Sequence, residues 1–333
     1  LATTPCTAKW EAARDEEFAH HYELTWTSQS GSKTVWIMSD YYRNPKPDDM
    51  MKTWEYSLGA FPAGTYSATL VAVDPWGKSS APVTTQFTVE QAEPVDPGTL
   101  PDAYVNLDFD GTMRDANGKV SITNFGGSVT SANVTVGGMS RSVPAFVTTS
   151  KTSYALCQFK EFTSAESMKS LMAGGFTVEA FYVDKDKSDG QTRGVVCGTE
   201  YGGWGLAETK DRMPYLIVGD GARNTYKSVY ATSAASASEL THVVATYDPS
   251  SSKLTIYING ALQATSSFSS TFFPGEGDAF NRFCLGADVT NGNKGTHYPS
   301  SSMVIADAKI YTTALNATQA ALAFDKAKKD LGF

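Results

Sequence analysis

Residues Leu240–Thr265, LTHVVATYDPSSSKLTIYINGALQAT, admit few structures. His242–Asp248 alternates, with Val243, Ala245 and Tyr247 on one face, and Pro249–Lys253 supplies a turn. Leu254, Ile256 and Ile258 then alternate with Thr255, Tyr257 and Asn259. A period of two over consecutive short runs predicts strands with one buried face. Asn259-Gly260, flanked by such runs, predicts a two-residue hairpin turn, because both residues tolerate positive φ. The segment is therefore expected to be antiparallel β-structure, and high Ser, Thr, Gly and Tyr content elsewhere extends the expectation of an all-β protein to the whole chain.

The bulk properties narrow the function classes. A chain of 333 residues can build two or three cores. Its formal net charge is −8 and it carries no basic stripe, which argues against nucleic acid as a partner. No run of about 18 apolar residues occurs, so no membrane-spanning helix is expected. No signal peptide is visible and the chain starts at Leu1, which reads as a mature or trimmed fragment. Cys6, Cys157, Cys197 and Cys284 lie far apart without a CxxC pair, so buried free thiols are expected rather than zinc ligands or a disulfide framework.

Glu90–Asp102, EQAEPVDPGTLPD, holds three prolines, four acids and one glycine, and predicts a stiff polar connector. It divides the chain into a domain over 1–90, a linker over 91–102 and a domain over 103–333. In the first, Tyr22, Leu24 and Trp26 alternate, Val35 and Ile37 alternate after them with Ser39 as a possible next member, and Trp10 is a core candidate of an early strand. Leu58–Tyr66 (LGAFPAGTY) has the form of a tyrosine corner, and YSATLVAVD and Val83–Val89 complete the pattern. This domain resembles a fibronectin type III, immunoglobulin-like sandwich, with only Leu1–Pro5 left for its first strand.

The larger domain resembles the laminin G-like, concanavalin A-like jelly rolls. The stretch from His242 to Gly260 is similar to their WHHVA-x-TYDG…LxLYVNG segment. FTVEAFYV (176–183), GGWGL (202–206), YLIVGDG (215–221), Phe283–Gly286 and IADAKIYTTAL (305–315) follow the family's order. Helices are expected at Ser164–Met172 and after Asn316, where Gln319 completes a capping box and Lys326, Lys328 and Lys329 suit the helix C-terminus. The resemblance implies a binding protein, often for glycans. HHYELTW…SDYY…GTYSATLVAVDPWGK further resembles the region following the catalytic domain in secreted bacterial calcineurin-like phosphoesterases, which implies an accessory role beside an upstream hydrolase and a secreted, periplasmic or surface location.

Catalytic readings meet specific objections. Leu107–Asp115, LDFDGTMRD, matches the DxDGT signature of haloacid dehalogenase-type phosphatases, with Asp108 as nucleophile, Asp110 as acid/base and VGDGARN (218–224) as a second echo. That fold places the nucleophile on a fully buried parallel strand, whereas Val105, Leu107 and Phe109 alternate with Asn106, Asp108 and Asp110. Retaining glycoside hydrolysis needs two carboxylates about 5 Å apart, usually on one strand face. Glu276 and Asp278 come nearest and sit among glycines. Two-metal phosphoester chemistry needs several histidines. Only His20, His21, His242 and His297 occur. His20 and His21 read as one inward and one outward strand residue, and His242 as structural.

Two kinds of binding site remain. Calcium takes loop oxygens, and Asp108, Asp110, Asp184, Asp186 and Asp288 are candidates without a fixed spacing. Sugars take aromatic faces and amides at the rim of a sandwich. Tyr201 and Trp204 in YGGWG, with Asn291, Asn293, His297 and Tyr298 in TNGNKGTHY, are the candidates. Trp204 has a core reading beside the ligand one. Asn133-Val-Thr and Asn316-Ala-Thr match glycosylation sequons. The leading expectation is non-catalytic recognition of a glycan or a cell-surface or matrix ligand. The alternative is a structural or protein-interaction module packing on an upstream phosphoesterase domain.

Overall fold

The structure is a computed structural model. It describes residues 3–11, 13, 19–28, 31–38, 53–62, 64–89, 98–162, 164–185, 190–199, 201–275, 280–289 and 297–333. The chain forms two compact units, Leu1–Pro94 and Val95–Phe333.

The smaller unit holds β1 (Thr3–Glu11), β2 (His21–Ser28), β3 (Gly31–Met38), β4 (Thr53–Pro62), β5 (Gly64–Val73) and β6 (Val83–Val89). β1 and β4 pair as one antiparallel sheet, and β3-β2-β5-β6 form the other. Alternation sends Leu24 and Trp26 of β2 and Tyr66 and Ala68 of β5 into one core with Leu58 and Phe61 of β4. Tyr66 is buried between Phe61 and Phe87, with ring centroids 4.8 and 5.6 Å away. Trp10 packs edge-on against Tyr22 at 5.6 Å. The first strand runs through Trp10 rather than ending near Pro5. His21 is buried and His20 half-buried beside it. Ser39 lies outside the described residues.

The larger unit is a two-layer jelly roll. Its strands are β7 (Val105–Asp108), β8 (Arg114–Asp115), β9 (Val120–Phe125), β10 (Ser128–Val136), β11 (Met139–Val147), β12 (Tyr154–Phe159), β13 (Phe176–Asp184) and β14 (Arg193–Gly198). They continue with β15 (Trp204–Glu208), β16 (Pro214–Gly219), β17 (Tyr226–Tyr230), β18 (Thr241–Asp248), β19 (Lys253–Ile258), β20 (Ala261–Ser267), β21 (Arg282–Leu285) and β22 (Met303–Tyr311). Two helices, α1 (Ala165–Leu171) and α2 (Ala317–Asp330), complete it. One sheet runs β10-β11-β22-β13-β18-β19-β20, with β7 and β8 joined through β22. The other runs β17-β16-β15-β14-β21-β12-β9. Every ladder in both is antiparallel.

The main core lies between the two sheets. Val243, Ala245 and Tyr247 of β18 and Leu254, Ile256 and Ile258 of β19 point into it, as the sequence alternation requires. Asn259 and Gly260 form the two-residue turn with φ of 49° and 77°. The Asn259 amide oxygen accepts the His242 N–H at 3.0 Å, tying the turn to β18.

Helix α2 covers the other face of the nine-stranded sheet. Asn316 Oδ1 accepts the Gln319 N–H at 3.0 Å and Gln319 Oε1 accepts the Asn316 N–H at 3.0 Å, so the capping box is complete. Ala320, Ala323 and Ala327 are buried beneath the helix. Gln319 also donates to the Thr99 carbonyl at 3.0 Å, and Leu100 packs beside Tyr311 and Leu315. The stretch expected as linker is therefore docked onto the larger unit from Gly98 onward. Because the outer face is covered, β13 and β22 are buried along their whole length.

The phosphatase-like motif has an ordinary structural place. β7 is a short antiparallel strand paired with β22 and β8, not a central parallel strand. Cys157, Cys197 and Cys284 are buried free thiols, and Cys6 is half-buried.

Candidate functional site

The seven-stranded sheet turns Val196, Leu206, Leu216 and Val218 inward. The same alternation puts Cys197, Ala207, Tyr215 and Ile217 on the opposite face, where they floor a cleft of about 380 Å³. Small side chains at Cys197 and Ala207 let it sink into the sheet. Three chain segments wall it: Thr199 and Tyr201 after β14, Asn224 and Tyr226 before and at the start of β17, and Asp288, His297 and Tyr298 after β21.

These segments are held in unusual backbone conformations. Of the six non-glycine residues with positive φ among the described residues, three line this cleft: Tyr201 (57°), Asn224 (58°) and Tyr298 (49°). Left-handed backbone is unfavourable for tyrosine and is retained where the surroundings over-determine it. Gly202 and Gly203 make the first bend possible: a Cβ on Gly203 would stand 2.0 Å from the Gly198 carbonyl oxygen. Tyr226 pins that bend by donating from its hydroxyl to the Thr199 carbonyl at 2.6 Å and accepting the Gly202 N–H at 3.0 Å. The Arg223 guanidinium stacks 4.0 Å over the Tyr201 ring. Tyr298 stays 48% exposed beside His297.

Asp288 is the buried polar anchor. Its carboxylate accepts the Thr199 N–H at 3.0 Å, the Val289 N–H at 2.8 Å and the Thr199 hydroxyl. Its own N–H donates to the His297 carbonyl at 2.8 Å, tying the two ends of the loop together. Burial raises the Asp288 carboxyl above the usual range, against the three hydrogen bonds, which favour the charged form.

Four of the expected residues thus meet in one cleft: Tyr201, Asp288, His297 and Tyr298. Trp204 does not join them. It is 2% exposed and faces the core, with Phe283 and Phe176 rings at 5.5 and 6.1 Å. In β15 the inward parity belongs to Trp204 and Leu206, so the ligand reading of Trp204 is corrected to a core one. Asn291 and Asn293 lie outside the described residues, as do Asp186, Glu276 and Asp278. Thr199, Tyr215, Asn224 and Tyr226 were not expected. The alternation of Tyr215 and Ile217 with Leu216 and Val218 was the available signal for one of them.

The aspartates expected as calcium ligands, Asp108, Asp110, Asp184 and Asp288, each stand in a separate protein environment. Asp108 is held by the Asp110 N–H at 2.9 Å and by the Arg114 guanidinium at 2.9 and 2.6 Å, and both hold its carboxyl below the usual range. Asp184 accepts hydroxyls from Ser300 and Ser302 at 2.8 and 3.0 Å and faces Arg193 at 3.5 Å. Asp110 is exposed, and Asp288 accepts from the Thr199 and Val289 N–H groups and from the Thr199 hydroxyl. Among the described residues no group of three or more His, Cys, Asp or Glu could hold a metal ion. Nor is any described helix long and apolar enough to cross a membrane.

A second polar cluster lies under α2. Glu179 meets His242 Nε2 at 3.0 Å, the Tyr311 hydroxyl at 2.7 Å and Lys309 Nζ at 3.4 Å, and Lys309 also pairs with Asp307. All five residues are buried, so His242 is structural as expected. Burial opposes ionisation of Glu179, but Lys309, His242 and Tyr311 hold its carboxyl down to about 2.

Comparisons with known proteins bear on the larger unit. Residues 160–321 match the model of the concanavalin A-like lectin/glucanases superfamily. No curated protein matches the chain. Among solved structures, the chain is similar to the binding domain of botulinum neurotoxin DC in complex with SialylT, with a TM-score of 0.50 and 14% identity over 68% of this chain and 51% of that one. A structure described as HCR/D-Sa-GBL1/C has a TM-score of 0.50 and 14% identity over 68% and 52%. The chain thus spans about half the length of these structures, and the likeness is one of fold. The larger unit is thus an all-β jelly roll of the concanavalin A-like kind, whose lectin/glucanase model residues 160–321 match.

Proposed function

We propose that this chain is a non-catalytic recognition module of a secreted or surface-displayed protein, and that its jelly roll binds a glycan in the tyrosine-lined cleft. The observation that carries this reading is the gathering of three left-handed residues, Tyr201, Asn224 and Tyr298, around one concave site with a buried carboxylate in it. Tyrosine rings supply stacking faces for sugar rings, and the Asn224 amide and Asp288 supply polar partners for hydroxyls. The lectin-type family of the domain supports the reading, as does the similar neurotoxin binding domain in complex with SialylT. Asn291 and Asn293, between Asp288 and His297 in sequence, are proposed as further ligand contacts. The smaller unit would serve as a fibronectin type III-like spacer, and the pair as an accessory region beside an upstream hydrolase such as a phosphoesterase.

A glycan array probed with the full chain tests the reading. Binding to a restricted set of glycans is expected. Tyr298→Ala should weaken it at least tenfold with the melting temperature unchanged, because the ring is half exposed and supports no core. An array silent throughout would overturn the proposal. A protein-contact role is favoured by one separate feature of the smaller unit: Trp36 and Trp76 are 70% and 73% exposed there.

A further inference from the structure

We infer that the cleft selects sugars that donate hydroxyl or ammonium hydrogens and lack an acid group, with Asp288 as the selecting residue. The inference rests on the reading that the cleft holds a glycan. Asp288 is a cleft-lining residue and yet only 3% exposed. An ionised carboxylate offers about four acceptor positions and no donor. The protein fills two on Oδ1, with the Thr199 and Val289 N–H groups, and one on Oδ2, with the Thr199 hydroxyl. Oδ2 therefore keeps acceptor capacity on a nearly buried carboxylate. A ligand hydroxyl or ammonium fills it, whereas a ligand carboxylate meets a like charge on a nearly buried group.

The surroundings do not reverse that polarity. The titratable groups sharing the cleft with Asp288 are Cys197, Tyr201, Tyr215, Tyr226, His297 and Tyr298. Burial raises the Cys197 thiol and the Tyr215 phenol, with Asp288 adding to both, so neither contributes negative charge to compete for the ligand's donors. Of the two residues able to carry positive charge, His297 stands exposed at the rim. Arg223 lies against the Tyr201 ring and is not part of the lining. From the rim, His297 acts on the Asp288 carboxyl and favours its charged form.

Isothermal titration of the full chain with N-acetyllactosamine, chitosan oligomers and 3′-sialyl-N-acetyllactosamine tests this. The two acid-free sugars are expected to bind at least tenfold tighter than the sialylated one at pH 7.5. Asp288→Asn should bring the ratio close to one, because the amide removes the charge and adds a donor. Thermal denaturation establishes whether that variant folds. If it does not, the unmodified chain titrated from pH 7.5 downward should show the ratio narrowing as Asp288 takes up its proton. Clear binding with equal or greater affinity for the sialylated sugar would overturn the inference and leave glycan recognition standing. Silence with all three sugars, together with a silent array, would overturn both.

Discussion

Trp204 and Tyr298 lie 94 positions apart in sequence and differ as much in role. Both were legible as aromatic residues in glycine-rich surroundings, and sequence could not separate them, because the parity of a short strand is set by its neighbours in the sheet. β15 has only five residues, and pairing with β14 and β16 turns Trp204 inward. Trp204→Ala is therefore expected to cost about 3–5 kcal/mol through loss of packing and a cavity, read as a lower urea midpoint. An unchanged midpoint would mean that the ring is not core. The cleft depends equally on a residue with no side chain. Gly203 has φ of 84° and lies against the Gly198 carbonyl. Gly203→Ala should displace Tyr201 and Gly202, lowering ligand affinity and stability together.

The strands and their turns were the readable part of this fold. The β18–β19–β20 meander falls where alternation and Asn259-Gly260 put it, since a two-residue turn fixes register and register fixes which face is buried. What alternation missed is the second covering. Thr177, Glu179, Phe181 and Val183 occupy the parity that should meet water, yet β13 is buried throughout because α2 and the segment from Gly98 lie over that sheet. The helix itself was announced by its capping box, but not where it docks. Its placement is tight: a Cβ on Gly260 would come within 3.1 Å of Ala321 Cα. Asn316→Ala removes the acceptor for the Gln319 N–H and is expected to cost about 1 kcal/mol. Hydrogen exchange should show the loss first in α2. Uniform loss across both sheets would mean that the helix does not open separately.

The site was half readable for the same reason. Its loop residues could be guessed from composition, but its floor and its buried anchor exist only once the sheets have folded, and so does the charge cluster beneath α2. That cluster gives the larger unit a defined response to acid. Glu179 titrates at about 2 when folded, against an ordinary value of 4.5. A carboxyl depressed by folding stabilises the protein above its unfolded pKa, and that stability is lost as pH falls through the folded one. That stability is present in full above about pH 4.5 and is lost as pH falls through the depressed value. Asp307 acts in the opposite sense: burial raises its carboxyl, with Lys309 opposing and Glu179 adding to the rise, so uptake of its proton favours the folded state as pH falls. Lys309 is raised by Asp307 and Glu179 against the effect of burial, so its contribution is complete below about pH 10.5 and is lost only in stronger base. Stability measured by urea titration should therefore hold from neutral pH down to about 4.5 and fall below it. Glu179→Gln should cost about 3–5 kcal/mol at pH 7, because it leaves Lys309, Asp307 and His242 with an incomplete set of partners in a buried site. It should also flatten the profile below pH 4.5. A variant as acid-sensitive as the parent would place the titrating carboxylate elsewhere and remove Glu179 from the account of how the helix-covered sheet is held.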